Sequence, residues 1–268
     1  MNTSNTIKLE VLGARGSMPT HRPDCVEFGG ATSCYRLEAD DTVIFLDGGT
    51  GMIGRDATGE RTDIILSHFH MDHIAGLPGY HGLSDPGHTT IIHAPTLENM
   101  DSGIMELREL ISPPIWPLGL EGYPGNVKIV SCEKEFEIGP FSITTFDGLH
   151  PNGCIIIVLT VHDKKIVYAT DYEHDGAGDK ALIDISREAD LLIYDGCYLP
   201  EEYPRFKTFG HSTPDDGIRV ATAAEAKRLL ITHHSTERSD EELREIEETY
   251  RPRFSDIRFA RVGDIYRL

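Results

Sequence analysis

Four potential metal ligands lie within six residues of one another. They are His68, His70, Asp72 and His73. Neutral imidazole and carboxylate groups are suitable ligands for zinc, manganese or iron. The apolar run at residues 63–67, directly before them, is typical of a buried strand. Because residues i and i+2 of a strand point to the same side, the first two histidines can reach one ion, while the aspartate and the last histidine reach a second. This clustering favours a metal site over surface histidines in a polar loop.

Apolar alternation predicts strands in both halves of the chain, each half followed by helices. In the first half we expect strands at 7–12, 34–38, 42–46, 63–67 and 90–93 and a helix at 97–110. In the second half we expect strands at 127–131, 141–146, 154–161, 165–169, 191–194 and 229–232, helices at 181–189, 214–226 and 240–250, and a final strand pair near 257–267. This order predicts two sheets packed face to face with helices outside them.

No internal repeat or low-complexity linker is visible, so the sequence predicts one domain over residues 1–268. The stretch from residue 111 to 125 is irregular, with four prolines around Trp116. No apolar run is long enough to span a bilayer, and residues 1–6 are polar, unlike a signal peptide. We therefore expect a cytoplasmic protein without a membrane partner.

The net charge narrows the choice of partners. The chain has 44 acidic and 25 basic residues, which gives a net charge of −19. Proteins that bind long nucleic acids neutralise many phosphates with Lys and Arg, so a long nucleic acid is not an expected partner. A small anionic substrate remains compatible, because bound divalent metals dominate the local field. The five cysteines contain no Cys-x-x-Cys pair, so neither a disulfide framework nor a cysteine zinc site is expected.

The segment at residues 68–73 resembles the His-x-His-x-Asp-His signature of the metallo-β-lactamase superfamily. The Asp-Gly-Gly-Thr-Gly segment at 47–51 matches the small-residue turn upstream of that signature. The resemblance implies an α/β fold of the αββα type, a four-layer sandwich of two mixed β-sheets flanked by helices. It also implies three further ligands at the ends of later strands, and the matching residues are His150, Asp171 and His233.

The resemblance implies a role for each ligand of two divalent ions. His68, His70 and His150 would hold the first ion, Asp72, His73 and His233 the second, and Asp171 would bridge them. His234 is an alternative to His233, although the Thr-His pattern favours His233. Zinc is the favoured metal, with manganese or iron as alternatives. A water between two such ions becomes a nucleophile near neutral pH, and Asp72 would orient it or take its proton.

A second motif bears on the substrate. The Gly-His-Ser-Thr segment at 210–213 resembles ribonuclease Z and related cyclic-nucleotide phosphodiesterases, in which the histidine donates a proton to the leaving group. That residue is His211 here. Ser212 or Thr213 could instead cap the helix that follows. Asp195, in the segment 194–198, could support the histidine or be a plain turn residue, because the family's His-Glu-Ala-Thr pattern is not kept there.

The loop after the first strand also resembles the phosphodiesterase branch. Its Gly-x-Arg-Gly-Ser-x-Pro pattern at 13–19 leads to Gly-Gly-x-Thr-Ser-Cys at 29–34. Ser17, Thr20 and Thr32 could line the mouth of the metal site, or the loop could pack on the sheet edge for purely structural reasons.

Ribonuclease Z itself carries a long, Lys-rich arm that grips tRNA, and no such arm is visible here. The sequence therefore predicts a phosphodiesterase for a small phosphodiester, such as a cyclic nucleotide. The alternatives are a lactone or thioester hydrolase, a tRNA 3′-processing enzyme and a non-catalytic module. Trp116 and Tyr123 could stack on a base, within one chain or across a dimer, although such segments are more often core or interface. By resemblance we expect a homodimer.

Overall fold

The computed structural model describes residues 6–268, and the polar stretch at residues 1–5 lies outside them. The described part of the chain forms fourteen strands and six α-helices. The strands are β1 (Lys8–Gly13), β2 (Cys34–Ala39), β3 (Thr42–Leu46), β4 (Arg61–Ile65), β5 (Thr89–Ala94), β6 (Asn126–Ser131), β7 (Glu135–Ile138), β8 (Phe141–Gly148), β9 (Cys154–Val161), β10 (Lys164–Ala169), β11 (Leu191–Asp195), β12 (Leu229–Thr232), β13 (Ile257–Phe259) and β14 (Ile265–Arg267). The helices are α1 (Met71–Ile74), α2 (Gly103–Leu110), α3 (Ala177–Ile185), α4 (Tyr203–Phe206), α5 (Pro214–Ala223) and α6 (Asp240–Tyr250).

The strands form two mixed sheets, as predicted. Each sheet has seven strands. The first sheet has the order β14-β1-β2-β3-β4-β5-β6 and the second the order β13-β12-β11-β10-β9-β8-β7. Strands β3 to β6 are parallel, and so are β10 to β13. The other neighbours in each sheet are antiparallel. Because the carboxyl ends of parallel strands meet at one edge, the loops after β4, β10, β11 and β12 can converge there.

Alternating side chains of the second sheet enter two different apolar layers. On β11, Leu191 and Ile193 belong to the core between the sheets, which also contains Leu37 of β2. Leu192 and Tyr194 face the other way and pack in a second cluster with Leu243 of α6. Burial on both faces explains why β11 reads as a continuous apolar run in the sequence.

Three predicted helix bounds differ from the structure. The helix expected at 97–110 begins only at Gly103, because Asn99 has a left-handed backbone (φ 62°) that no α-helix contains. The helix expected at 181–189 lies at Ala177–Ile185, and Glu188 (φ 55°) belongs to the turn that follows it. The helix expected at 214–226 ends at Ala223, before Glu225 (φ 55°).

Two features of the strands were also mispredicted. β7 was not expected, because its acidic and apolar residues give only a four-residue alternation. The two strands near 257–267 exist but do not pair with each other. Instead, β13 joins β12 at one edge of the second sheet, whereas β14 joins β1 at one edge of the first. Between residues 6 and 268, no helix combines the length and the apolar character that crossing a bilayer requires.

Asp240 holds the long loop between β1 and β2. Its carboxylate accepts hydrogen bonds from the backbone nitrogens of Val26 (2.6 Å), Glu27 (2.7 Å) and Phe28 (3.0 Å). The fully buried Arg15 lies 3.9 Å from the same carboxylate and donates to the carbonyl of Gly29 (2.8 Å). Burial acts to raise the pKa of Asp240, but the three N–H groups and Arg15 outweigh it and lower that pKa below its ordinary value of 3.8.

We predict that Asp240→Asn lowers the free energy of unfolding by about 2 kcal/mol, because hydrogen bonds to a carboxylate are stronger than those to an amide. The pKa is lower in the folded state, so this contribution is complete above the unfolded-state pKa and is lost as pH falls through the folded-state pKa. Urea unfolding of the parent chain and the Asp240→Asn variant from pH 7 down to pH 3 measures this contribution to the free energy of unfolding. Asp184→Asn, which removes an exposed pair with Arg187, is the control and should change little. An equal effect of both substitutions would contradict the assignment.

Candidate metal centre

The four ligand candidates of the first half follow β4. His68 lies in the turn after the strand, His70 immediately precedes α1, and Asp72 and His73 lie within that helix. All except His70 are buried. The four polar side chains thus lie directly after the apolar strand β4, at the edge where the parallel strands of both sheets end.

Two residues of the second half complete a first group of ligand atoms. His150 follows β8 and its Nε2 lies 3.0 Å from Nδ1 of His70. Asp171 follows β10, and its Oδ2 lies 3.5 Å from Nε2 of His68 and 3.6 Å from Nε2 of His150. One ligand atom from each of these four residues lies within 4.8 Å of the others.

The other oxygen of Asp171 belongs to a second group. Its Oδ1 lies 2.9 Å from Nε2 of His233, which follows β12, and 3.2 Å from Nε2 of His73. Oδ2 of Asp72 lies 3.1 Å from the same nitrogen of His233. Asp171 therefore faces both groups, one oxygen to each. The structure brings together all seven predicted ligands in the predicted grouping, and their ligation of metal stays a prediction.

Hydrogen bonds to the far nitrogens of three histidines leave the near nitrogens available. Nδ1 of His150 donates to the carbonyl of Gly210 (2.8 Å), Nδ1 of His73 to Asp47 (2.7 Å) and Nδ1 of His68 to Ser67 Oγ (3.0 Å). Nε2 of His68 and Nε2 of His73 are buried without a hydrogen-bond partner among the described residues. A buried nitrogen without a partner is costly, and a metal ion removes that cost.

The charges of the site also fit divalent cations. Asp47, Asp72, Asp171 and Asp195 are all buried at this end of the molecule. Carboxylate oxygens of this kind attract divalent cations. Burial lowers the pKa of His68 well below its usual range and that of His150 to about 4, so both imidazoles are neutral, as ligation requires. For His73 the carboxylates of Asp171, Asp72 and Asp47 outweigh burial and raise the pKa.

Asp47, which the sequence indicates only as part of a turn, forms hydrogen bonds that hold the ligand candidates in place. Besides His73, its carboxylate accepts hydrogen bonds from the backbone nitrogen of Ser67 (2.7 Å), Ser67 Oγ (2.9 Å) and Tyr168 Oη (2.7 Å). It therefore orients His73 directly and His68 through Ser67. A signal in the sequence was its position at the end of β3, which corresponds to that of Asp171 at the end of β10.

Four residues at the centre have left-handed backbones. They are Ser17 (φ 61°), Asp47 (φ 59°), Asp171 (φ 51°) and His233 (φ 61°). Such conformations are unfavourable for residues other than glycine and cluster at functional sites. Two glycines pack directly on ligand rings: a Cβ on Gly16 would lie 2.3 Å from Nδ1 of His233, and one on Gly210 would lie 2.1 Å from Nδ1 of His150.

The structure distinguishes the two adjacent histidines after β12. His233 points into the second group, whereas Nε2 of His234 donates to the carbonyl of Ala260 (3.0 Å). The ring of His234 stacks on Phe259, and burial lowers its pKa to about 3. His234 is therefore a neutral core residue, and His233 is the ligand candidate, as the Thr-His pattern favoured.

His211 and Asp195 border the centre as a hydrogen-bonded pair. Nδ1 of His211 donates to Oδ2 of Asp195 (2.8 Å), and the carboxylate is fully buried. The His211 ring stacks on that of His233, with centroids 4.6 Å apart. Asp195 Oδ1 also accepts from the backbone nitrogen of Cys197 (3.0 Å). The geometry thus favours the supporting role of Asp195 over that of a plain turn residue.

The remaining substrate-contact candidates mainly form hydrogen bonds within the protein. Ser17 donates its backbone N–H to Asp72 (2.7 Å). Thr32 is fully buried, and its hydroxyl accepts from the backbone nitrogen of Thr50 (2.9 Å), so it does not line the mouth of the site. The hydroxyl of Ser212 donates to the carbonyl of Tyr172 (2.6 Å). Thr213 caps α5 by accepting from Asp216 N (3.3 Å).

The three candidates Thr20, Trp116 and Tyr123 lie in two loops, and each makes hydrogen bonds away from the ligand groups. Thr20 donates its backbone N–H to the carbonyl of Gly30 (2.9 Å). In the 111–125 segment, Nε1 of Trp116 donates to Tyr123 Oη (2.9 Å), which donates in turn to the carbonyl of Pro78 (3.1 Å). Trp116 remains 40% exposed. A stacking role for these two rings stays a prediction.

The fold and this ligand arrangement agree with a family match. A family profile described as a beta-lactamase superfamily domain matches residues 30–234. The chain belongs to this superfamily. Its β-lactamase superfamily relatives include the probable metallo-hydrolase YhfI of Bacillus subtilis (strain 168), which is 25% identical over 85% of this chain and 86% of its own length. Ribonuclease Z of Salinispora arenicola is 24% identical over 86% of each chain.

Solved structures agree with the fold. A crystal structure of YhfI, described as a metallo-beta-lactamase fold protein, has a TM-score of 0.73 and 23% identity, covering 99% of this chain and 100% of that chain. A diphosphatase from the PhnP family has a TM-score of 0.68 and 19% identity, covering 98% and 97%. The metallo-hydrolase relatives and the His/Asp groups together support a metal-dependent hydrolase that uses divalent ions.

We predict that Asp47→Ala lowers the affinity for the second metal ion about 10- to 100-fold, because His73 loses the acceptor that fixes its tautomer. Competition with a chromophoric zinc chelator measures each binding step. Asp56→Ala, at an exposed aspartate that pairs with His81, is the matched control and should change neither step. Unchanged zinc affinity in the Asp47 variant would show that this carboxylate has no part in holding the metals.

Proposed function

We propose that this chain is a metal-dependent phosphodiesterase that hydrolyses a small phosphodiester, such as a cyclic nucleotide. The observation that carries the proposal is the pair of His211 and Asp195 beside the ligand groups. Asp171, Asp195, His211 and His233 each have a ligand-type atom within 4.8 Å of the others, so the pair borders the second group directly. A positioned proton donor accelerates the hydrolysis of a phosphodiester that has a poor leaving group.

Asp195 determines which nitrogen of His211 serves the reaction. The carboxylate accepts the Nδ1 hydrogen, so Nε2 is the nitrogen that exchanges a proton with the substrate. The stacking on His233 fixes the plane of the ring. An imidazole held in this way can protonate the oxygen of the leaving alcohol as the phosphorus–oxygen bond breaks.

Asp72 acts at the other end of the reaction. When bound, two divalent cations make water nucleophilic near neutral pH and neutralise charge on a phosphoryl group. The backbone N–H of Ser17 fixes the Asp72 carboxylate at 2.7 Å, and this carboxylate orients the attacking water or takes its proton. As the water oxygen bonds to phosphorus, the bond to the leaving oxygen breaks and His211 supplies that oxygen with a proton.

Charge supports a small anionic substrate. The net charge of −19 disfavours the many phosphate contacts of a long nucleic acid. Cleavage of tRNA is the second candidate function, favoured by the relatives named ribonuclease Z. Processing of a pre-tRNA 3′ trailer, with binding that weakens steeply between 50 and 200 mM salt, would support it. The small-phosphodiester proposal expects neither.

We predict that His211→Ala lowers kcat for a cyclic mononucleotide about 10²- to 10⁴-fold, the usual range for a lost general acid. The loss for bis-p-nitrophenyl phosphate should be much smaller, because nitrophenolate leaves without a proton. A panel of lactones should be cleaved slowly, and equally, by both chains. Steady-state kinetics with Zn²⁺ or Mn²⁺ measure all three substrates.

The pattern across substrates separates the possibilities. Equal losses on the cyclic nucleotide and on the nitrophenyl ester would mean that His211 is structural rather than a proton donor. Turnover of lactones alone would contradict phosphodiester hydrolysis. His21→Ala, at an exposed histidine in the loop after β1, is the control for the loss of an imidazole.

A further inference from the structure

The buried carboxylate of Glu173 binds three points of the segment at residues 203–210. Its Oε1 accepts hydrogen bonds from Tyr203 Oη (2.8 Å) and from the backbone nitrogen of Thr208 (2.6 Å). Its Oε2 accepts a hydrogen bond from the backbone nitrogen of Gly210 (2.9 Å). Both oxygens of the side chain are therefore acceptors, which a carboxylate provides and an amide does not.

Hydrogen bonds are the main compensation for the buried charge of Glu173. Among the described residues, no Lys, Arg or His side chain forms an ion pair with its carboxylate. A buried carboxylate without an ionic partner is costly, and apolar side chains can fill the same space at a lower cost. Placement of the bound backbone groups therefore explains this residue better than packing does.

Gly210 connects Glu173 with the first ligand group. Its backbone nitrogen donates to Glu173, and its carbonyl accepts from Nδ1 of His150 (2.8 Å). Its backbone is left-handed (φ 89°), and a Cβ at this position would lie 2.1 Å from Nδ1 of His150, so glycine allows the close approach. The backbone N–H of Glu173 also donates to the carbonyl of Leu149 (2.8 Å). The orientation of the His150 imidazole thus depends on groups that Glu173 holds.

The backbone on both sides of His211 is bound to the chain around Glu173. Gly210, directly before His211, donates to the Glu173 carboxylate. Ser212, directly after it, donates its hydroxyl to the carbonyl of the residue before Glu173 (2.6 Å) and accepts from the backbone nitrogen of the residue after Glu173 (3.0 Å). The backbone of His211 is therefore fixed to the loop after β10, which also carries Asp171.

We propose that Glu173 is a positioning residue that acts through Gly210 on both the ligand candidate His150 and the proton donor His211. Glu173 is itself a member of neither ligand group. A catalytic group that moves by about 1 Å can lose about 100-fold in rate, so such a residue affects the reaction without touching the substrate. The part of this inference that concerns His211 rests on the proposed function, whereas the part that concerns His150 requires only metal binding.

The first measurement is zinc affinity in a Glu173→Gln variant. The amide keeps the size of the side chain but has one acceptor oxygen instead of two, so at least one of the bonds to the segment 203–210 is lost. We expect the affinity for the ion of the first group to fall about tenfold, at the lower end of the range for outer partners of metal ligands. The affinity for the other ion should not change. Competition with a chromophoric zinc chelator measures both binding steps.

The second measurement is a double-mutant cycle at a saturating zinc concentration. Glu173→Gln should lower kcat for a cyclic mononucleotide about 10- to 100-fold in the parent chain, because His211 is displaced. In a chain that already carries His211→Ala, the same substitution should lower kcat less than about threefold, because the group that it displaces is absent. Losses that multiply in the double variant would contradict a role toward His211.

Two variants separate positioning from a general effect on folding. Glu247 of α6 is a matched control, because it is also buried and also binds a backbone nitrogen, that of Phe259 (3.0 Å). Glu247→Gln should change neither zinc step nor the effect of His211→Ala. Tyr203→Phe removes one donor but keeps the bond of Glu173 to Gly210, so it should retain the zinc affinities and the kcat of the parent chain. Equal weakening of both zinc steps in Glu173→Gln would overturn the proposal.

The two measurements fail independently of the proposed function. If the parent chain hydrolyses no cyclic mononucleotide, the proposed function fails and the zinc measurement alone decides on Glu173. If the parent chain hydrolyses it but Glu173→Gln changes neither the zinc affinities nor kcat, the proposed function stands and the positioning role fails.

Discussion

The buried carboxylate of Asp171 sets the main constraint on this structure. It contacts imidazoles of His68, His73, His150 and His233 at distances from 2.9 to 3.6 Å. A buried carboxylate is stable only if hydrogen bonds, paired charges or a metal ion compensate for its lost hydration. Loops from both sheets must therefore meet at one point, and the sandwich of two sheets is the scaffold that makes this possible.

The same constraint explains the strain around the site. Asp171 and His233 leave their strands with left-handed backbones, which turn their side chains back over the sheet edge. Asp47 does the same at the end of β3 and supports His73 from behind. The two sheets repeat one pattern of antiparallel and then parallel strands. Asp47 and Asp171 occupy matching positions in it, one as a support and the other as a ligand candidate.

Much of this arrangement could be predicted from the sequence because ligands occur directly after apolar strands. The spacing of His68 and His70 reflects strand geometry, and the order of the later candidates matched a family pattern. Asp47 was missed because a lone aspartate before glycines reads as a turn. For Thr32 the sequence left open whether it lines the mouth of the site or belongs to a structural loop, and in the structure it bonds to Thr50 in the core. Such residues lie far from their partners in the sequence and leave no periodic signal.

The helix bounds were mispredicted for a related reason. Local left-handed residues such as Asn99 end or delay helices in ways that apolar spacing does not encode. The pairing of β14 with β1 could not be predicted, because a short strand shows too little apolar alternation to indicate its partner. β14 pairs with β1 because the edge of β1 is open to it. The hydrogen bonds by which Glu173 joins Leu149, Tyr203 and Gly210 are likewise invisible in a single sequence.

The union of β1 with β14 has a consequence for how the protein is made. Lys8 pairs with Arg267, so the outer edge of β1 is covered only after the residues of β14 have been synthesised and have folded. Until then it presents unpaired backbone groups that can capture other chains.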